Sequence, residues 1–97
     1  MPTFTVNAIT SRRFAEFQRG LDAAFKRSFA AHLLMKRWDG HTLHTSGPGC
    51  HGQATFDKGY IRGRVTVSGL AGLMSGRIIG DIERMLREAG CETAMIL

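Results

Sequence analysis

Residues 51–68 read HGQATFDKGYIRGRVTVS, and this stretch decides the fold. Over 60–68 the side chains alternate, and the members of the apolar set are Ile61, Gly63, Val65 and Val67. Because side chains of a strand point to opposite faces in turn, this pattern predicts a strand with one apolar and one polar face. A second strand is predicted over 51–57, and residues 57–59, DKG, form the short turn between the two. The stretch therefore predicts an antiparallel hairpin with one face for a core and one face open.

Two further stretches predict strands. Residues 33–46 read as one strand with a bend or turn at Asp39-Gly40, and residues 47–49, GPG, form the turn that follows it. Residues 3–9, TFTVNAI, alternate between apolar and polar side chains in the same way as 60–68. Short turns between successive strands favour an antiparallel meander.

Two stretches have apolar residues spaced by three and four, which predicts amphipathic helices. The first helix covers about 12–32, with an apolar stripe made of Phe14, Phe17, Leu21, Ala24, Phe25 and Ser28. The second begins near Leu70 and ends before Gly90, with a stripe made of Leu73, Gly76, Ile79, Gly80, Ile82, Met85, Leu86 and Ala89. Its charged residues, Asp81 among them, are assigned to the solvent side. The tail CETAMIL, residues 91–97, is compatible with an added strand, packing on a neighbour, or a frayed end.

The order of elements is β-α-β-β-β-α. We predict an α+β fold, a two-layer sandwich in which a four-stranded, mostly antiparallel sheet has both helices on one face. The length of 97 residues fits a single domain over 1–97. The opposite sheet face stays uncovered, which favours ligand binding or a homodimer formed through this face.

The composition of the chain indicates its cellular compartment and the kinds of partner its surface suits. No apolar run approaches the roughly 20 residues that cross a membrane, and the first ten residues do not resemble a secretory signal. Two cysteines are too few for a disulfide framework, so we expect a cytoplasmic protein with reduced thiols. The net charge of +5, with 13 Lys and Arg against 8 Asp and Glu, fits a solvated basic surface or a polyanion site.

Four residues with metal-binding and nucleophilic side chains lie close in sequence: His41, His44, Cys50 and His51. Zn²⁺ takes such ligands, and a cysteine beside a histidine can form a nucleophile–base pair. On a strand, however, positions 41 and 44 point to opposite faces, as do 50 and 51. No third residue that would orient the base is evident. The pattern therefore favours hairpin architecture over a metal site or a catalytic thiol, and we expect no cofactor.

The polar face of the 60–68 strand carries Tyr60, Arg62 and Arg64. Sheets that bind single-stranded nucleic acid combine basic side chains with aromatic platforms for base stacking. Tyr60 is the one clear platform here. Binding of nucleic acid or another polyanion is thus an alternative function of this face.

Several short motifs together resemble one family. They are Trp38-Asp39-Gly40 followed by Leu43, Gly49 with Gly52, Val65 with Val67, Gly69-Leu70 with Leu73, and the helical run DIERML at 81–86. This combination is similar to the polyhydroxyalkanoic acid system proteins, small bacterial proteins encoded near genes for polymer synthesis and granule proteins. The chain departs from that pattern in its basic charge and in Cys50-His51, where an apolar residue is expected. The motifs mark turns and strand ends, so no active-site residue is carried over.

The resemblance implies a setting among proteins of polymer granules and not a mechanism. We expect a non-enzymatic binding or scaffold domain that associates with a granule or with a protein partner. We expect two candidate surfaces. One is the open sheet face with Tyr60, Arg62 and Arg64. The other is the apolar stretch 70–74, with Leu70, Leu73 and Met74.

Overall fold

A computed structural model describes residues 3–32 and 34–97, without the side chains at positions 29, 30, 70 and 71. The strands are β1 Thr3–Thr10, β2 Met35–Asp39, β3 Thr42–Gly47, β4 Cys50–Asp57, β5 Tyr60–Val67 and β6 Cys91–Ile96. The helices are α1 Phe14–Arg27, α2 Leu70–Leu73 and α3 Ser75–Glu88, and a 3-10 helix covers Phe29–His32. None of the helices in the described ranges is long and apolar enough to span a bilayer.

The sheet has six strands in the order β2-β3-β4-β5-β1-β6, and each pair of neighbours is antiparallel. The α+β class with two main helices and an antiparallel sheet is confirmed, but the prediction of four strands is wrong. The stretch 33–46 splits into β2 and β3 because Gly40 and His41 form a two-residue turn that reverses the chain. The tail forms β6, which pairs with β1 and completes the other edge.

The remaining two hairpin turns lie where the sequence predicts them. Gly49, between β3 and β4, has a φ of 75°, and Gly59, between β4 and β5, has a φ of 88°. Both values are in the left-handed region that favours glycine. These tight turns fix the register of β3, β4 and β5, so that alternate residues of all three strands share a face.

The helices cover one face of the sheet, which we call the helix face. Its buried side chains include Val6, Ala8, Leu43, Phe56 and Ile61, packed against Phe17, Leu21, Phe25, Met85 and Leu86 of the two long helices. Burial of apolar area on this scale is the main stabilising contribution in a domain of this size. The sheet surface on the other side, which we call the open face, is not covered by either of the long helices α1 and α3.

The edge strand β2 is tied to α1 by polar contacts. One carboxylate oxygen of Asp22 accepts a hydrogen bond from the Trp38 indole N–H at 2.9 Å and forms an ion pair with the Lys36 ammonium at 2.6 Å. Both partners lie on the helix face of β2, and the ion pair explains how the charged side chain of Lys36 is accommodated on that face. These contacts hold the β2–β3 hairpin against α1.

Candidate functional site

The four candidate metal and thiol residues lie in three different environments. His41, in the β2–β3 turn, stacks on Phe14 with 3.9 Å between ring centroids. His44 and His51 lie on the open face, whereas Cys50 lies on the helix face and is 6% exposed. Over residues 3–32 and 34–97, no three His, Cys, Asp or Glu side chains come together as a metal site would require. Strand pairing therefore separates the residues that the sequence places together.

The two thiols are buried and free of disulfides. Burial raises the pKa of Cys50, and it raises the pKa of Cys91 to about 11 with a further contribution from the Glu92 carboxylate. A nucleophilic cysteine needs the opposite shift, because the thiolate is the reactive species. The environment of Cys50 is therefore that of a core residue.

A basic groove crosses the open face over four strands. Arg37, His44, Gln53 and Arg64 are successive cross-strand partners on β2, β3, β4 and β5. His51 belongs to the neighbouring row of cross-strand partners on the same face, opposite Ser46 and Thr66. These residues line a shallow depression, and none of its described lining residues is acidic. The groove can therefore offer guanidinium and imidazole groups to an anion without an internal competitor.

The predicted binding residues of the open face fall into two parts. Arg64 lies in the basic groove. Tyr60 lies four residues before it on the same strand face, opposite Ile9 of β1, and Arg62 lies between them. The Arg62 guanidinium stands 6.0 Å from the Tyr60 ring centroid. The prediction did not include Arg37, His44 and His51 as partners of Arg64, because only the strand register brings β2, β3 and β4 beside β5.

An apolar cavity of about 300 Å³ lies between the helices and the sheet. Its walls come from α1, α3 and the helix face of the sheet, and include Leu21, Phe25, Leu43, Ala54, Val65, Ile78, Ile82 and Met85. Cys50 also contributes to the wall. The exposed residues Pro48 and Met74 lie at its rim, so the cavity opens toward solvent between the β3–β4 turn and the α2–α3 junction. No motif in the sequence predicts this cavity.

One carboxylate is part of the cavity wall. The Oδ1 atom of Asp81, on α3, forms an ion pair with Arg84 at 3.2 Å. The Oδ2 atom of the same group is buried and accepts no hydrogen bond from the described residues. Periodicity assigns Asp81 to the solvent side of its helix, and that assignment is wrong for this oxygen. The signal that could have found it is the position of Asp81 between Ile78 and Ile82, both cavity residues.

The predicted apolar stretch 70–74 forms a lip beside the cavity. Leu73 is 84% exposed and Met74 is 40% exposed, so Leu73 does not join the buried stripe of the second helix as the spacing predicted. The side chain of Leu70 lies outside the described part of the chain. Met74 also lines the cavity. We therefore call the two exposed side chains at its edge, Leu73 and Met74, the apolar lip.

Fold and site together describe a small α+β domain with an apolar cavity and a basic groove on opposite sides of one sheet. The comparisons place it in a family: residues 10–89 match the model described as "Putative polyhydroxyalkanoic acid system protein (PHA_gran_rgn)". The chain belongs to this family, and the resemblance drawn from its motifs is confirmed.

The fold itself has a solved counterpart. The NMR structure of PA4090 from Pseudomonas aeruginosa is similar, with a TM-score of 0.58 and 10% sequence identity over 100% of this chain and 96% of that one. At this identity the similarity concerns the fold alone. No curated protein matches the sequence.

Proposed function

We propose that this chain is a non-enzymatic binding domain that attaches to the surface of polyhydroxyalkanoate granules through its apolar lip. The observation that carries the proposal is the exposure of Leu73 and Met74 side by side at the rim of an apolar cavity. The family description supports it, because it links such chains to a polymer of hydroxyalkanoic acids. An exposed leucine beside an apolar cavity suits an apolar polymer surface better than water.

The test is sedimentation of the purified protein with protein-free polyhydroxyalkanoate granules. We expect the protein to pellet with granules, and Leu73→Ser with Met74→Ser to reduce the bound fraction about tenfold, because two apolar contacts are lost. Met35→Ser is the matched control, since Met35 is 79% exposed on the edge strand β2, outside the lip. Equal pelleting of all three proteins, or no pelleting of the wild type, would contradict the proposal.

A second candidate function, polyanion binding, is favoured by the basic groove. Arg37 and Arg64 frame this depression, and no ion pair within the described ranges engages either guanidinium. Phosphate groups attract such a surface through charge and release bound counterions. This alternative uses a face of the sheet different from that of the apolar lip, so the two functions are tested separately.

Salt dependence tests the second candidate. If labelled oligo(dT) binds the groove, the plot of log affinity against log salt concentration is steep. Arg37→Ser with Arg64→Ser should then make its slope shallower by about 1.4, at about 0.7 per phosphate contact on a single strand. Arg13→Ser with Arg19→Ser removes the same charge from exposed positions on the helix side and should change the slope less. If the slope changes equally in both double variants, the groove is excluded as the binding site of the oligonucleotide.

Two predictions from the sequence stay part of the proposal. The first is a homodimer through the open face, where Ile9, Tyr60 and Met95 are exposed apolar or aromatic side chains near one another on β1, β5 and β6. The second is a cytoplasmic setting, which agrees with the two free thiols, Cys50 and Cys91.

A further inference from the structure

We infer that the cavity between α3 and the sheet is a binding site for a neutral aliphatic molecule that carries a hydroxyl group, with the hydroxyl donating a hydrogen bond to the Asp81 carboxylate. This inference goes beyond the proposed attachment to granules, because it concerns a small ligand inside the domain. It joins two observations, an apolar cavity and a carboxylate group in the wall of that cavity.

The size of the cavity sets the size of the ligand. An apolar protein cavity of about 150 Å³ holds a benzene molecule, which has six carbon atoms. The cavity here, at about 300 Å³, has room for roughly twice that number of non-hydrogen atoms. A linear chain of about eight carbons with one oxygen fits within this limit.

The walls define the body of the ligand. Leu21, Phe25, Leu43, Val65, Ile82 and Met85 come from two helices and two strands and expose almost only apolar atoms to the cavity. Such a wall gains free energy from an aliphatic chain, in proportion to the apolar area removed from water. A charged group would lose its hydration there without a full set of partners.

Asp81 defines the polar end of the ligand. Its Oδ1 atom already pairs with Arg84, so the charge of the carboxylate is partly balanced. Its Oδ2 atom has no hydrogen-bond partner among the described residues, so the carboxylate as a whole is short of donors. A hydroxyl in the cavity supplies a proton donor to this carboxylate without bringing a charge. A ligand carboxylate would instead place a second negative charge beside Asp81, which disfavours binding.

A ligand can reach the cavity from solvent on one side of the domain. Pro48, in the β3–β4 turn, and Met74, at the α2–α3 junction, are exposed lining residues. A chain can therefore enter between them without opening the sheet. Ile78 lies one helical turn after Met74 and projects into the same space, which makes it the position best placed to close the site.

Three probes of nearly equal size test the ligand class by calorimetry on the purified full chain. 1-Octanol has the hydroxyl, methyl heptyl ether has the same number of non-hydrogen atoms without a donor, and octanoate carries a charge. We expect 1-octanol to bind about tenfold or more tightly than the ether, the difference expected for a hydrogen bond to a charged acceptor, and octanoate to bind most weakly. Equal affinity for 1-octanol and the ether would overturn the role of Asp81.

Variants locate the site. Ile78→Trp should fill the cavity and reduce binding of 1-octanol at least tenfold, whereas Ile79→Trp, at the adjacent position outside the lining, should leave it within about twofold. Asp81→Asn should shrink the preference for 1-octanol over the ether and improve octanoate binding, because the amide is neutral and can donate. The preference is compared within each folded variant, so a change in stability does not imitate the effect.

The outcomes separate this inference from the granule proposal. Equal loss of 1-octanol binding in both tryptophan variants would overturn the cavity as the site. Binding of 1-octanol by a protein that does not pellet with granules would contradict the granule proposal and leave the cavity site standing. If the protein pellets with granules but binds none of the three probes, the cavity site is contradicted and the granule proposal stands.

Discussion

Gly63→Ala is expected to lower the free energy of unfolding by about 3 kcal/mol or more, which is a large fraction of the stability of a domain of this size. Gly63 lies in β5 between Val6 of β1 and Ala54 of β4. A Cβ atom at this position would overlap the backbone oxygen of Gln53 and lie 2.8 Å from the Cα of Ala54. Because these atoms belong to the backbone of the central strand β4, side-chain rotation cannot relieve the contact. Urea unfolding followed by circular dichroism measures the change.

Gly80→Ala is the matched control for this substitution. Gly80 lies inside α3, and an added Cβ there meets nothing within 4 Å. Alanine should therefore raise the stability by about 0.5–1 kcal/mol, because it improves helix propensity without a steric cost. The same chemical change should thus have opposite signs at the two positions. A Gly63→Ala protein as stable as the wild type would show that β4 and β5 are farther apart than the structure places them.

The strands that the sequence predicts well are those with a clear alternation and a glycine turn. Residues 60–68 have both, and Ile61 and Val67 are indeed buried on the helix face. The edges of the sheet were predicted less well. In β2 the alternation is broken by Lys36, whose position on the helix face depends on Asp22, a partner 14 residues away. The tail becomes β6 only because β1 offers a free edge, and a local pattern does not contain that information.

The candidate site was predictable only in part, for a similar reason. Exposure of the polar face with Arg62 and Arg64 follows from strand periodicity alone. The groove needs the register of four strands, which joins Arg64 to Arg37 across 27 positions of sequence. The cavity depends on the distance between α3 and the sheet, which no local pattern reports. Asp81 illustrates the limit, since a helical wheel gives it a solvent-side direction while the packing buries one of its oxygens.

Alkaline pH is expected to destabilise the domain through Cys91. Burial, followed by the nearby Glu92 carboxylate, raises the pKa of this thiol from 9.0 to about 11 in the folded chain, while Arg12 and Arg87 act in the opposite direction. Below pH 9 the thiol is protonated in the folded and unfolded states, so its contribution to stability is fully present. Between pH 9 and pH 11 the unfolded chain loses this proton and the folded chain keeps it, which favours unfolding.

The size of this effect follows from the shift in pKa. Each unit of difference corresponds to about 1.36 kcal/mol, so the stability attributable to this thiol should fall by about 2–3 kcal/mol as the pH rises from 9 to 11. Urea unfolding in the presence of a reductant, repeated at intervals of pH, measures the fall.

Cys91→Ala should be less stable at pH 8 because a buried Sγ atom is lost, yet its stability should decline less steeply above pH 9. Parallel pH curves for the wild type and this variant would show that other groups cause the decline. Cys50→Ala provides the comparison, because burial raises the pKa of that thiol as well but without a neighbouring carboxylate among the causes.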